Sequence, residues 1–255
     1  MSVGSAERLP DAAGYAVWLL CCGHLAFEPG LVLPDRAVEA PVNALLLRGH
    51  GEVVLVDAGS GVVDHWWPGG ADLDGALASA GTTAGEVTCL VLTHLDFDHA
   101  GGAVTAAAGR ALPNAVAIAP AGAVASVPRE HGRGVGAATA LVAAYGDAGA
   151  LREADPGEAI APEIVLADAP GHRAGHCVVE IGGELLHLAD VVHDARHVVR
   201  PEWDVTFDDD AELALDTRRR ILGEAADRDV LVVASHIRGA ARIGREGDGL
   251  RWLPA

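Results

Sequence analysis

One stretch constrains this chain more than any other: Thr93-His94-Leu95-Asp96-Phe97-Asp98-His99-Ala100-Gly101-Gly102. It follows an apolar run, Val87 to Leu92, that reads as a buried strand ending at Thr93. Four groups able to bind a metal, His94, Asp96, Asp98 and His99, then fall within six residues. Gly101-Gly102 lets the backbone turn tightly after them. A strand that stops and releases ligands into a turn fixes the first ligand and aims the others at one point. A His/Asp cluster in a loop can equally be a solvated, hydrogen-bonded turn, so the choice depends on the rest of the chain.

Three later segments favour the metal. Gly171-His172-Arg173-Ala174-Gly175-His176, Ala189-Asp190 and Ala234-Ser235-His236 each place a His or Asp at or just past an apolar run. Repeated strand-end placement brings such residues together if the strands share one sheet edge.

These motifs resemble the metallo-β-lactamase superfamily. The first is similar to its H-x-H-x-D-H signature, with Asp96 where the second His normally stands. Ala169-Pro170-Gly171-His172-Arg173-Ala174-Gly175-His176 resembles its T-P-G-H-x-x-G-H segment, Leu188-Ala189-Asp190 its G-D segment, and Ser235-His236 its closing G-H. The resemblance runs from about Pro41 to the C-terminus. Asp190 through Arg196, Arg200-Pro201-Glu202-Trp203 and Phe207-Asp208 look most like the methyl-parathion-hydrolase and lactonase branch.

The resemblance implies an α/β fold of αββα type, two mixed β-sheets face to face with helices outside, over a single domain spanning residues 1–255. The run of strands and helices along the chain fits that layering. It also implies two divalent metal ions, zinc by family. One would take His94, Asp96 and His172, the second Asp98, His99 and His236, with Asp190 bridging them. Imidazole and carboxylate without thiolate suit Zn, Mn, Fe or Co. A hydroxide between two cations is a strong nucleophile at neutral pH, so no serine or cysteine nucleophile is needed. Asp98 and His193 are the expected catalytic side chains. In lactonase relatives a Tyr near the position of His193 contacts a substrate oxygen, and a His there could polarise a carbonyl or protonate a leaving alkoxide. His176 is expected to shape its turn. Asp57, at the end of a strand, is expected either to support a metal-binding His or to cap its own turn.

Asp96 is the informative departure. A carboxylate in place of imidazole adds one negative charge at the first metal, which favours Mn or Fe over Zn. Flavodiiron relatives also carry a carboxylate there, but no flavodoxin-like domain follows His236.

The expected activity is hydrolysis of a small lactone, ester or phosphotriester. The rivals on the same fold are a mononuclear iron sulfur dioxygenase and a glyoxalase II-like thioester hydrolase; a metal-free binding module is the remaining option.

Charge narrows the partners. Eighteen Lys and Arg against 36 Asp and Glu leave a net charge of −18 over 255 residues. Such a surface repels phosphate backbones and anionic membranes, so a small-molecule substrate is expected, with no nucleic acid and no membrane. A homodimer is an open option. No signal pattern opens the chain, and Cys21, Cys22, Cys89 and Cys177 form no C-x-x-C pair. Both points lead us to expect buried thiols in a reducing cytoplasm.

Further along, Gly23 to Pro34 reads as a loop, His65-Trp66-Trp67 as an aromatic patch and Ala103 to Ala108 as a small-residue helix. The Ala- and Gly-rich segment 121–155 reads as a lid candidate carrying a helix near Ala137 to Tyr145. Asp210 to Ala226 reads as an amphipathic helix with Leu213, Ile221 and Leu222 inward and Arg218, Arg219 and Arg220 more exposed.

Overall fold

The computed structural model describes residues 1–62, 70–127, 135–247 and 249–255. The aromatic patch His65-Trp66-Trp67 lies outside them.

Strands β1 (Ser5–Ala12), β2 (Tyr15–Phe27), β3 (Val38–Gly49) and β4 (Glu52–Val56) open the chain as an antiparallel meander. Helix α1 (Leu73–Ser79) follows, capped by the Asp72 carboxylate, which accepts from the Gly75 N–H. Next come β5 (Cys89–Val91), α2 (Phe97–Ala100) and β6 (Val116–Pro120), then α3 (Ala123–Ser126), α4 (Val135–Asp147) and β7 (Leu151–Ala154). Strands β4 to β7 are mutually parallel, and β1 to β7 form one seven-stranded sheet in sequence order.

The second half builds a second sheet from β8 (Ala159–Ala161), β9 (Ile164–Asp168), β10 (Cys177–Ile181) and β11 (Leu185–His187). After α5 (Arg196–Val199) and α6 (Ala211–Arg228) it adds β12 (Leu231–Val233), β13 (Ala241–Glu246) and β14 (Gly249–Pro254). Its strand order also follows the sequence, with β11 and β12 parallel and β14 at the edge.

Apolar residues on both faces of a strand require cover on both sides. In β3, Leu45 and Leu47 join the core between the sheets, while Ala44 and Leu46 pack into a second cluster with α1 and α4. In β12, Leu231 and Val233 face the inter-sheet core, and Val232 packs against Ile221, Leu222 and Ala225 of α6. The result is the expected sandwich of two mixed sheets with helices outside.

Several expectations are corrected. Strand β2 continues to Phe27, so Gly23 to Phe27 is strand rather than loop, and β1 and β8 form where no strand is expected. The expected helix from Ala103 to Ala108 is absent: helix forms earlier, at Phe97–Ala100, inside the motif that runs from His94 to His99. Among the described residues, segment 121–155 packs as part of the fold. It supplies β7 to the first sheet, and Ala138, Leu141 and Tyr145 of α4 are buried in the core, although 128–134 lies outside the described residues. Leu213 is 41% exposed, whereas Arg218 is buried. Arg218 shares the inward stripe with Ala214, Ile221, Leu222 and Ala225, so helical spacing turns it into the protein. Gly101 and Gly102 are needed less for turning than for close approach: a Cβ on either would lie 1.9 Å from a carbonyl oxygen, that of Ser60 or Ala58.

Candidate metal centre

Strands β4, β5, β9, β11 and β12 all end at one edge of the sandwich, since β4 and β5 are parallel and so are β11 and β12. Just past those ends lie Asp57, His94, His172, Asp190 and His236. The short helix α2 adds Asp98 and His99 one turn after Asp96.

The imidazoles are held in a common sense. His99 donates through Nδ1 to Asp57 Oδ2 at 2.8 Å. Asp57 also accepts from the backbone N–H and hydroxyl of Thr93, at 2.9 and 2.8 Å. With its proton so committed, the Thr93 hydroxyl accepts from His94 Nδ1 at 3.1 Å. His172 donates through Nδ1 to Asp208 Oδ1 at 2.8 Å, and His236 through Nδ1 to the Pro41 carbonyl at 3.0 Å. Each of these four rings therefore turns its Nε2 toward the same interior.

There the Nε2 atoms of His94, His99 and His172, and Oδ1 of Asp190, are buried with no hydrogen-bond partner. Buried polar atoms are rarely left so, and three orphaned lone pairs facing one another call for a cation. Spacing agrees. His99 Nε2 lies 3.3 Å from Asp190 Oδ1. His172 Nε2 and His236 Nε2 each lie 3.4 Å from Asp190 Oδ2, and His236 Nε2 is also 3.4 Å from Asp98 Oδ2. Two ligands about 2.1 Å from one tetrahedral ion stand about 3.4 Å apart. Ligand atoms within 4.8 Å of one another form the triads His94–Asp96–His172, Asp98–His99–His236, His94–His99–Asp190 and His172–Asp190–His193.

Electrostatics follow from burial. Burial holds His94 and His172 well below the usual imidazole range, hence neutral and able to coordinate. Burial also lowers His99, but Asp190, Asp57 and Asp98 outweigh it and carry that ring well above its ordinary value. Burial pushes Asp98 up. For Asp190 burial is outweighed by His99, His236 and His193, which hold its carboxyl well below the usual range. A cation at this point would take the place of the protons now shared between these carboxylates and rings.

His193 enters the same cluster. Its Nε2 lies 3.2 Å from Asp190 Oδ2, and its ring stacks on His236 with centroids 5.2 Å apart. His176 braces the turn rather than joining the triads: Nδ1 donates to the Ala169 carbonyl at 2.7 Å and Nε2 accepts the Asp190 N–H at 3.3 Å. His197 is structural, with Nδ1 accepting from the His193 N–H and Nε2 donating to the Val32 carbonyl at 2.9 Å. Asp96 is 31% exposed, and its Oδ2 lies 3.9 Å from His94 Nε2.

Two further side chains bear on the site, one with no expected role and the other expected at an exposed helix end. Arg173 donates through Nε to both oxygens of Asp96, at 3.0 and 2.9 Å. Arg218 anchors the loop behind His172: it donates to the carbonyls of Val191, Pro201 and Trp203 at 2.7, 2.8 and 3.1 Å and lies 3.5 Å from Asp208 Oδ2. A buried arginine on an inward helical stripe was the available signal for the second; for the first, only its place beside His172 hinted at a role.

Fold and donor set together define a two-sheet sandwich with a candidate metal site at one edge. The sequence profile of the Metallo-beta-lactamase superfamily matches residues 37–236, and the chain belongs to that superfamily. A probable metallo-hydrolase of Mycobacterium tuberculosis is 29% identical over 239 residues, covering 76% of this chain and 74% of that protein; one of Mycobacterium bovis matches equally. Among solved structures, AidC, a dizinc quorum-quenching lactonase in complex with a product, superposes with a TM-score of 0.86 at 21% identity, covering 98% of this chain and 97% of that one. The hydrolase AbOPH of the beta lactamase superfamily gives 0.84 at 22% identity, covering 100% and 99%. At these identities the structures establish the fold. No helix among the described residues is long and apolar enough to cross a membrane.

Proposed function

We propose that this chain is a dinuclear metal-dependent hydrolase of a small, uncharged lactone or ester. The observation that carries the reading is the shared orientation of His94, His99, His172 and His236, whose Nδ1 atoms are all engaged outside and whose Nε2 atoms converge. In this reading His94, Asp96 and His172 hold one divalent cation, Asp98, His99 and His236 the other, and Asp190 serves both, with zinc the expected metal. Bound there, the cations supply Lewis acidity that acidifies water and polarises an ester carbonyl.

The chain's own groups supply the rest. The His193 ring, whose Nε2 lies beside Asp190 Oδ2, would turn that N–H to a substrate oxygen once a cation takes up Asp190. The Phe27 ring lies edge-on to His193 and His236, with centroids 6.5 and 6.0 Å away, and Phe207 lies 5.6 Å from Phe27. These rings limit water and offer an apolar wall to an acyl or alkyl group. Arg173 and Arg218 are engaged with Asp96, Asp209 and Asp208, so neither is free for a substrate carboxylate or phosphate. That favours a neutral substrate; the mycobacterial probable metallo-hydrolases support metal-dependent hydrolysis, and the lactonase AidC supports a lactone.

A panel of lactones, carboxylic esters, a phosphotriester and a thioester, run on protein of known metal content, tests this. Turnover greatest on lactone or ester supports it. Oxygen uptake with glutathione persulfide, without ester hydrolysis, would move the chain to the sulfur dioxygenases.

A further inference from the structure

We propose that Asp96 and Arg173 act as one neutral unit at the first cation position, so that Arg173, lying outside the ligand set, sets the charge this cation experiences. The inference rests on the metal-centre reading above.

Replacing a neutral imidazole with a carboxylate adds a charge of −1 beside the cation. The structure puts a permanent +1 against that carboxylate. Arg173 Nε donates to Asp96 Oδ1 at 3.0 Å and Oδ2 at 2.9 Å. The pair is only partly open to solvent, the side chains being 27% and 31% exposed, so water screens it incompletely. Asp96 Oδ2 at the same time lies 3.9 Å from His94 Nε2 and shares a possible ligand triad with His94 and His172. A carboxylate has about four lone-pair sites, enough to face a guanidinium on one side and a cation on the other.

Arg173 is not free to leave. Its Nη1 donates to the His172 carbonyl at 3.0 Å, to the Phe207 carbonyl, and to Asp209 Oδ1 at 3.2 Å. The guanidinium is thus fixed between the motif carrying Asp96 and the segment carrying Asp208, the partner of His172. Asp96 and Arg173 are 77 residues apart in sequence. Together they present a ligand of no net charge where a lone carboxylate would present −1.

A plain clasp, tying the 207–209 segment to the motif, is the competing account, and charge reversal separates the two. Zinc affinity is measured by competition with a chromophoric chelator on wild type, Asp96→His, Arg173→Met, and the doubles Asp96→His/Arg173→Met and Asp96→His/Arg173→Lys. Asp96→His leaves the guanidinium beside the cation with only Asp209 against it, a side chain 62% exposed and screened by water, and the first zinc weakens roughly tenfold to a hundredfold. Adding Arg173→Met removes that charge and restores affinity to within about threefold of wild type. Adding Arg173→Lys keeps the charge and restores nothing. Arg173→Met alone tightens the first zinc.

A double Asp96→His/Arg173→Met that binds zinc no better than Asp96→His overturns the proposal in favour of the clasp. If Asp96→His does not fold, Arg173→Met decides alone: tighter zinc supports the proposal, unchanged or weaker zinc overturns it. Wild-type protein that binds no zinc removes the metal-centre reading as well, an outcome distinct from a wild type that binds zinc while the variants show no charge dependence.

Discussion

Arg218→Met tests how the loop behind His172 is held. The side chain is 3% exposed and lies 3.5 Å from Asp208, itself 2% exposed. Burial already pushes the Asp208 carboxyl above its ordinary range, with His193 and Arg218 opposing. Methionine keeps much of the buried stem and deletes the guanidinium. The carbonyls of Val191, Pro201 and Trp203 then lose their donor, at about 1 kcal/mol or more each. Removing one partner of a buried ion pair costs about 3–5 kcal/mol in addition. Local relaxation and entering water return part of this, so a loss of about 4–6 kcal/mol is expected, a large share of a typical domain stability of about 5–15 kcal/mol. Urea denaturation followed by circular dichroism reads it directly. The double variant Arg218→Met/Asp208→Asn removes the stranded charge and should recover about 2 kcal/mol. A single-variant loss below about 1 kcal/mol, or strictly additive losses in the cycle, would refute the argument that Arg218 neutralises Asp208 in the interior.

Two further outcomes are expected. Asp57→Asn keeps the shape of the side chain but weakens its hold on His99 Nδ1, so zinc affinity should fall about 10–100-fold with little change in far-ultraviolet dichroism; unchanged affinity would show that His99 orientation does not depend on Asp57. Burial holds His187 and His197 down at about 4, against about 6.5 in the unfolded chain. Their folded values are depressed, so the unfolded chain binds more protons between those limits. Their contribution is complete above about pH 6.5 and is lost as pH falls toward 4, by roughly 3 kcal/mol each. In that window the slope of unfolding free energy against pH should be shallower by up to about 1.4 kcal/mol per pH unit in His197→Gln than in wild type; an equal slope would contradict the buried neutral ring.

The parts of this molecule legible in its sequence share a physical cause. Residues at strand ends are positioned by local pattern, so His94, Asp98, His99, His172, Asp190 and His236 could be named, and the structure gathers them at one edge. Side-chain partners across the fold carried no such signal. Nothing near Asp96 foretells Arg173, which reaches it from the second half of the chain. Arg218, expected at the more exposed end of its helix, lies inside because its helical spacing to Ala214, Ile221 and Leu222 puts it on the inward stripe. The helix of the expected lid segment packs into the core, because small side chains let an Ala-rich helix approach closely. Tyr145 of α4 is fully buried and donates to the Ala103 carbonyl at 3.3 Å.

The central claim is that converging Nε2 lone pairs and Asp190 hold divalent cations. Elemental analysis of chelator-stripped protein titrated with zinc and desalted tests it most directly. The account predicts two zinc ions retained per wild-type chain and fewer than one in Asp190→Ala. Folded wild-type protein that retains none, and hydrolyses its best substrate at an unchanged rate while stripped, would contradict it.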